Sequence, residues 1–366
     1  MKFLYIALVN LKTKEYLGIK KKIEGQLVGL RENGISIDLL YLDGNKVYLG
    51  NKIVSDARNY IEVYQKLIAS NLFSDYDGFY IRHNPPFSPF SFKFIKKLKR
   101  MNRNKHVLLE IPTFPYYSEF KNEKSLKMKA YLLLDRLYFS KLIKKYVDKV
   151  ITFNYPEGRV FNIDTINLVN GIDPTQIDLV KKKVFNGKVN LLSVSTMLHW
   201  HGIDRILIGL KNYYSNKETY MNDIRLHLVG EGKEKEKFVK YINENKLEKY
   251  VVFHGSKTTN DLQKIYNECD IAISSLGLHR IEKGDPLKTK EYLAAGLPVV
   301  IEDYYSYYPR DTDFIMLIPP DETPLDICKV LEFLDKKKTN SLVIRKFAMN
   351  EYTWSSQMKE VLKRLN

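Results

Sequence analysis

The chain has 366 residues, 44% of them hydrophobic and 28% charged, with a formal net charge of +16. That length predicts two domains, and that balance excludes a disordered or fibrous chain. Cys269 and Cys328 have no zinc or redox spacing, and no apolar run reaches the roughly 20 residues of a membrane-spanning helix.

The charge is uneven. Residues 1–165 carry 29 Lys and Arg against 16 Asp and Glu, whereas residues 166–366 carry 30 against 27. A basic first half fits an anionic partner such as nucleic acid, a membrane surface or a phosphorylated substrate, and equally a plain solvated lysine-rich face. The apolar start "FLYIALVN" runs into "LKTKEY" without a small-residue cleavage site, so it predicts a first strand, not a signal peptide.

In chain order, strands are expected at "FLYIALV", "ISIDLLYL", "GFYIRH", "HVLLEIP" and "KVITFN". A helix with Ile19, Ile23, Leu27 and Leu30 on one face separates the first two, and residues 119–146 are mostly helical. After a polar stretch from Asn170 the pattern restarts with "VNLLSVST", "IRLHLVG", "VVFHG", "DIAISS", "LPVVIE" and "FIMLIP", separated by helices. Continuous Val/Ile/Leu strands alternating with helices predict parallel sheets covered on both faces. The expected organisation is an α/β chain of two Rossmann-like, doubly wound domains, 1–187 and 188–350, facing across a cleft. A C-terminal helix over 351–366 is expected to pack back on the first domain. Ligands of such folds bind beyond the C-terminal ends of the strands.

The stretch "KGDPLKTKEYLAAGLPVV" (283–300) carries the most chemistry. Asp285 reads as an N-cap, Pro286 as the first helical residue and Gly296 as the helix stop. Lys288 then sits in the first turn, where the helix dipole disfavours a cation. A bound diphosphate at the helix start would reverse that penalty, and Glu291, at i+3 on the same face, could accept both hydroxyls of a ribose. An exposed lysine with a weak i,i+3 partner explains the same spacing.

This stretch resembles the donor-site segment of family 4 retaining glycosyltransferases of the GT-B fold, in which Pro-Leu-Lys, a helical Glu and Gly-x-Pro-Val follow in order. "VNGID" (169–173), "LLSVSTMLHWHGIDRIL" (191–207), "LHLVGEG" (226–232), "VVFHGS" (251–256) and "YNECDIAISS" (266–275) are similar to other segments of that family, in its order. "LEIPTFPYYSE" (109–119) looks like a segment of surface-polysaccharide transferases. The resemblance implies a retaining transfer of a hexose from a nucleotide-diphosphate sugar to a surface glycan, of capsule, exopolysaccharide or O-antigen type, carried on a polyprenyl diphosphate. It also implies a cytoplasmic enzyme, peripheral on the inner face of an anionic membrane, that uses no cofactor and no metal and binds no nucleic acid.

The resemblance implies donor contacts from Leu287, Lys288, Thr289 and Glu291. Thr196 and His201 stand where the family usually has Arg and Lys, so Arg205 and Arg280 are the candidates to supply the missing positive charge. The family's first glutamate falls on Lys283; Glu282, one position earlier, is the candidate to replace it. In the first half, Arg82, His83, Glu110 and Thr113 end two expected strands, with His83 and Glu110 as catalytic candidates and Arg82 and Thr113 as acceptor contacts. Gly18 and Lys20 open the first helix and are further acceptor candidates. Asp75/Asp77 and Asp311/Asp313 form Asp-x-Asp triplets in polar connections, where turns explain them. His199 and His201 flank Trp200 without further ligands at zinc spacing. A nucleotide-sugar epimerase on the same fold and a basic nucleic-acid-binding protein are the alternatives.

Overall fold

The computed structural model describes residues 1–11, 17–101, 104–120, 124–153, 158–181, 187–215, 222–281, 285–303 and 308–365. It forms two units, Met1–Gly171 with Trp354–Asn366, and Ile172–Thr353. Residues 172–181, read from sequence as part of the first domain, are bonded into the second. The Ile172 amide donates to the Tyr352 carbonyl and that of Val180 to the Ala295 carbonyl, both at 2.8 Å. Arg345 donates to the Ile177 carbonyl, also at 2.8 Å.

The first unit contains β1 (Lys2–Asn10), α1 (Leu17–Glu32), β2 (Ser36–Asp43), β3 (Lys46–Leu49), β4 (Lys52–Asp56), α2 (Tyr60–Ala69) and β5 (Gly78–Arg82). Then come α3 (Pro89–Met101), β6 (His106–Glu110), α4 (Leu126–Leu134), a π turn (Asp135–Phe139), α5 (Ser140–Leu142), β7 (Lys149–Phe153), β8 (Arg159–Val160) and β9 (Ile163–Leu168). The sheet order is β4-β3-β2-β1-β5-β6-β7-β9-β8. Its centre is parallel, and the expected strands occupy it. Both edges add strands that the sequence reading did not contain, the antiparallel β3–β4 at one and, at the other, β9, parallel to β7, with the antiparallel β8. Side chains alternate across β1: Leu4, Ile6 and Leu8 enter one core, and Phe3, Tyr5 and Ala7 the other.

The second unit contains β10 (Lys188–Val194), α6 (Ile203–Ser215), β11 (Asp223–Val229), α7 (Lys235–Glu244), β12 (Val251–Gly255), α8 (Thr259–Glu268) and β13 (Ile271–Ile273). It continues with α9 (Leu287–Ala295), β14 (Val299–Glu302), β15 (Ile315–Ile318), α10 (Ile327–Lys336) and α11 (Ser341–Tyr352). All six strands are parallel in the order β12-β11-β10-β13-β14-β15. Counted within the unit this is 3-2-1-4-5-6, the dinucleotide-fold order, so the direction of winding reverses between β10 and β13. Ligands of this fold lie at that switch point, beside the loops that follow those two strands.

The last helix, α12 (Trp354–Lys363), belongs to the first unit, where Trp354, Met358 and Val361 complete the core around Tyr5, Ile23 and Leu27. Gly25 and Gly29 of α1 make this packing possible. A Cβ on Gly25 would sit 2.1 Å from the Trp354 ring, and one on Gly29 2.4 Å from the Trp354 carbonyl oxygen.

Candidate functional site

Helix α9 starts at the C-terminal edge of the second sheet, after the loop from β13. Pro286 precedes its first residue, and among the described residues no side chain caps it. Asp285 does not serve as the expected N-cap, because its carboxylate pairs with Lys290 inside the protein, where both side chains are buried. Burial lowers the Lys290 ammonium from its ordinary range, and Asp285 opposes that shift. Three more contacts fix the helix. Thr289 and Ser274 share a hydroxyl–hydroxyl hydrogen bond. The Val194 amide donates to the Tyr292 hydroxyl at 2.8 Å, tying α9 to the end of β10. Gly296, at φ +86°, closes the helix as expected, its amide donating to the Leu293 carbonyl at 2.9 Å.

On this fixed scaffold Lys288 and Glu291 point the other way. They pair with each other and are partly exposed, at 38% and 25% of the side chain. The pair offsets the unfavourable position of a cation at a helix start and keeps an ammonium and a carboxylate on the accessible face of the first turn. Leu287 is exposed beside them.

The loops from β10, β11 and β13 crowd together around the switch point. A Cβ on Gly230 would lie 1.9 Å from the Ser195 carbonyl oxygen, and one on Gly232 1.7 Å from that of Thr196. His201 joins two of these loops, with Nδ1 2.8 Å from the Ser275 hydroxyl and Nε2 3.1 Å from that of Thr196. Burial pushes its imidazole down to about 4, so at neutral pH it carries no charge to replace the family's lysine. Thr196 is exposed.

The two candidate arginines are committed elsewhere. Arg205 is buried and donates to the carbonyls of Thr323 (2.7 Å), Leu276 and Pro319 (3.2 Å). It joins the β13 loop to the loop after β15 and presents no face to a ligand. Arg280 pairs with Asp204 at 2.8 Å and with Glu322, and donates to the His199 carbonyl. Both fail as free phosphate cations for one reason: a desolvated guanidinium collects acceptors until its donors are used. Of the expected donor-site cations, Lys288 keeps the accessible one. Glu282 lies outside the described residues.

Sequence reasoning missed two supports of this region. Glu302 ends β14, is buried, and accepts hydrogen bonds from the Leu278 amide at 2.7 Å and from His279 Nδ1, anchoring the β13 loop. A carboxylate ending a buried strand in "LPVVIE" was its only signal. Lys290 is the other, signalled by a lysine on the face of the helix that Leu293 and Ala294 bury.

In the first unit Glu110 is fully buried and saturated. It accepts from Arg82, from Tyr80 Oη and Gln26 Nε2 at 2.7 Å each, and from Tyr5 Oη at 3.5 Å. Burial alone would raise its carboxyl. Arg82, Lys22 and the bonds from Tyr80 and Gln26 outweigh burial and hold it below the ordinary carboxylate range. With no exposed face it has no room for the expected catalytic contact, and the same pairing removes Arg82 from the acceptor set; both hold together β1, α1, β5 and β6. His83 is also buried. Its ring lies 4.1 Å from that of Phe87 and 5.8 Å from that of Tyr116, and Nε2 has no hydrogen-bond partner among the described residues. Burial pushes its imidazole to about 3, leaving it neutral. Thr113, after β6, and Gly18, in the first turn of α1, are exposed, and Lys20 faces Glu24 at 3.8 Å.

The Asp-x-Asp triplets are used locally. Asp77 accepts from the Lys2 amide at 2.7 Å, and Asp313 from the amides of Lys338 and Thr339 at 2.7 and 2.9 Å. Among the described residues no group of three or more His, Cys, Asp or Glu side chains could hold a metal ion, and no helix is long and apolar enough to cross a membrane.

The sequence model of the family "Glycosyl transferases group 1" matches residues 175–310, a span that includes the β10 and β13 loops and all of α9. No sequence relative was found among the curated proteins. Several solved structures share the architecture along its whole length. Sucrose-phosphate synthase from Thermosynechococcus elongatus superposes with a TM-score of 0.56 at 13% identity, covering 100% of this chain and 98% of that one. A glycosyltransferase from Rickettsia africae gives 0.59 at 13%, covering 99% and 97%. The lipopolysaccharide outer core galactosyltransferase WaaB in its apo form gives 0.56 at 14%, covering 100% and 99%. At these identities the likeness is one of fold, and it agrees with the two Rossmann-like units. The chain has the GT-B fold, and its residues 175–310 match the model of the group 1 glycosyltransferases.

Proposed function

We propose that the protein is a retaining, metal-independent glycosyltransferase that moves a hexose from a nucleotide-diphosphate sugar to a surface-glycan acceptor carried on a polyprenyl diphosphate. The observation that carries this reading is the Lys288–Glu291 pair, partly exposed on a helix start that buried contacts hold in place, within the span matched to the family. A donor would exchange that pair for better partners. The Lys288 ammonium and the helix start meet the diphosphate, and Glu291, released, accepts the ribose hydroxyls. Both ends of the helix's charge problem are then solved by one ligand.

The chemistry asked of the protein is positioning and stabilisation of the leaving group. In a retaining front-face transfer the acceptor oxygen bonds to the anomeric carbon from the side on which the diphosphate leaves. The acceptor's proton passes to the departing phosphate oxygen. Neither Glu110 nor His83 is then needed as a base, which agrees with a saturated carboxylate and a neutral, buried imidazole. The surface-glycan acceptor is supported by the "EIPTFPY" resemblance and by WaaB, whose name places it on the lipopolysaccharide outer core. On this reading the enzyme works at the inner face of the membrane.

A thermal-shift screen with UDP, GDP, ADP and their sugars tests the donor. The matching nucleotide at 100 times its Kd adds about 2.7 kcal/mol of stability, and Glu291→Gln weakens that shift. Transfer to a lipid-linked acceptor then proceeds in EDTA. Activity lost in EDTA and restored by Mg²⁺ or Mn²⁺ contradicts the reading, as does sugar isomerisation without acceptor.

A further inference from the structure

Helix α4 has no buried residue, although six of its nine residues in "LKMKAYLLL" are apolar apart from a Tyr tip. Its exposed apolar side chains are ordered. Leu126 (82% exposed), Ala130, Leu133 (58%), Leu134 and, past the π turn, Leu137 (57%) recur at the i, i+4, i+7, i+8, i+11 spacing of one helical stripe. The opposite side carries the half-buried Met128 and Leu132 and the buried Asp135 and Phe139. Single exposed leucines need no explanation, but a stripe along three turns does.

Charge identifies what covers it. Residues 124–145 contain Lys124, Lys127, Lys129, Arg136, Lys141, Lys144 and Lys145 against one acid, Asp135. That acid is buried and accepts from the Tyr116 hydroxyl at 2.6 Å. Among the described residues none of the seven cations is in an ion pair. A leucine stripe flanked by cations that are in no ion pair among the described residues, with no exposed carboxylate within residues 124–145, is complementary to a surface that is apolar beneath and anionic above. We propose that α4 and the π turn lie flat in the interface of an anionic lipid bilayer, with Leu126, Leu133, Leu134 and Leu137 among the acyl chains and the lysines at the headgroups. The inference gives the membrane association in the proposed function a surface of its own. Its test uses neither donor nor acceptor, so the two readings fail separately.

The test is flotation of the full chain with vesicles of phosphatidylcholine alone or mixed with phosphatidylglycerol. Wild type binds the anionic vesicles and releases them in high salt. Leu133→Glu/Leu137→Glu lowers the partition constant more than about tenfold, and Lys127→Ala/Lys129→Ala/Arg136→Ala lowers it about a hundredfold at low salt. Leu342→Glu, at an exposed leucine of α11, leaves it unchanged, and so does the milder Leu133→Ser change leave the melting temperature unchanged while weakening binding. Equal binding to neutral and anionic vesicles, or wild-type binding by the leucine variant, overturns the proposal. So does a wild-type dimer in solution, without vesicle binding, that the leucine variant abolishes, since the stripe would then cover a protein.

Discussion

At the end of β6 and at the start of α9 the chain sets a carboxylate beside a cation, with opposite consequences. Glu110 is surrounded by Arg82, Tyr80, Gln26 and Tyr5, and none of these has reason to leave. Glu291 has Lys288, partly in solvent and three residues away. A buried charge whose partners are all supplied by the fold stabilises an arrangement. A partly exposed charge with one flexible partner can change partners when a ligand arrives. α9 contains both kinds within two residues, since Lys290 is locked onto Asp285 while Lys288 is not.

Breaking a locked pair should cost most. Lys290→Met leaves Asp285 buried without its cation and should destabilise the second unit by about 3–5 kcal/mol. Adding Asp285→Leu should recover most of that, and denaturant unfolding of the single and double variants measures the difference. Arg82→Met should cost the first unit a similar amount. The Glu110 carboxyl is held below its ordinary range, so its stabilising contribution is complete above the unfolded-state value and is lost as pH falls through the folded-state value. Glu110→Gln should therefore flatten the acid limb of the first unit's stability profile, and an unchanged limb would contradict the assignment.

A smaller effect comes from His83. Its imidazole, pushed to about 3, takes a proton in the unfolded chain but not in the folded one. Stability is then complete above the ordinary histidine value and falls below it, by about 2 kcal/mol at pH 5. His83→Phe should remove that slope between pH 6.5 and 4. If the slope persists in the variant, burial does not hold His83 neutral.

The strands of both sheet centres were legible because fully covered strands are long Val/Ile/Leu runs. The edges were not. β3 and β4 begin with Lys46 and Lys52, each two residues after a glycine, Gly44 and Gly50, and read as polar loop because edge strands carry charge. β8 and β9 meet at Phe161 and Asn162, both at positive φ, where a phenylalanine gives no turn signal. At the site, helical spacing brought Lys288 and Glu291 together correctly. The role of Asp285 was misread because composition cannot say that Lys290, rather than an amide, takes its carboxylate. Arg205 and Arg280 were misplaced for the same reason: their acceptors are carbonyls and carboxylates from distant segments.

The smallest expected change in stability accompanies the largest in function. A partly exposed i,i+3 pair contributes at most about 1 kcal/mol, so Lys288→Ala should melt within a few degrees of wild type. If Lys288 is held for a diphosphate, the same change removes a charge-assisted partner of a desolvated phosphate, at a cost of about 2–5 kcal/mol. Steady-state kinetics should then show kcat/KM for the donor falling by some tens to thousands, at about 1.4 kcal/mol per decade. A Lys288→Ala variant that keeps wild-type kcat/KM and melts unchanged would contradict the donor site at α9.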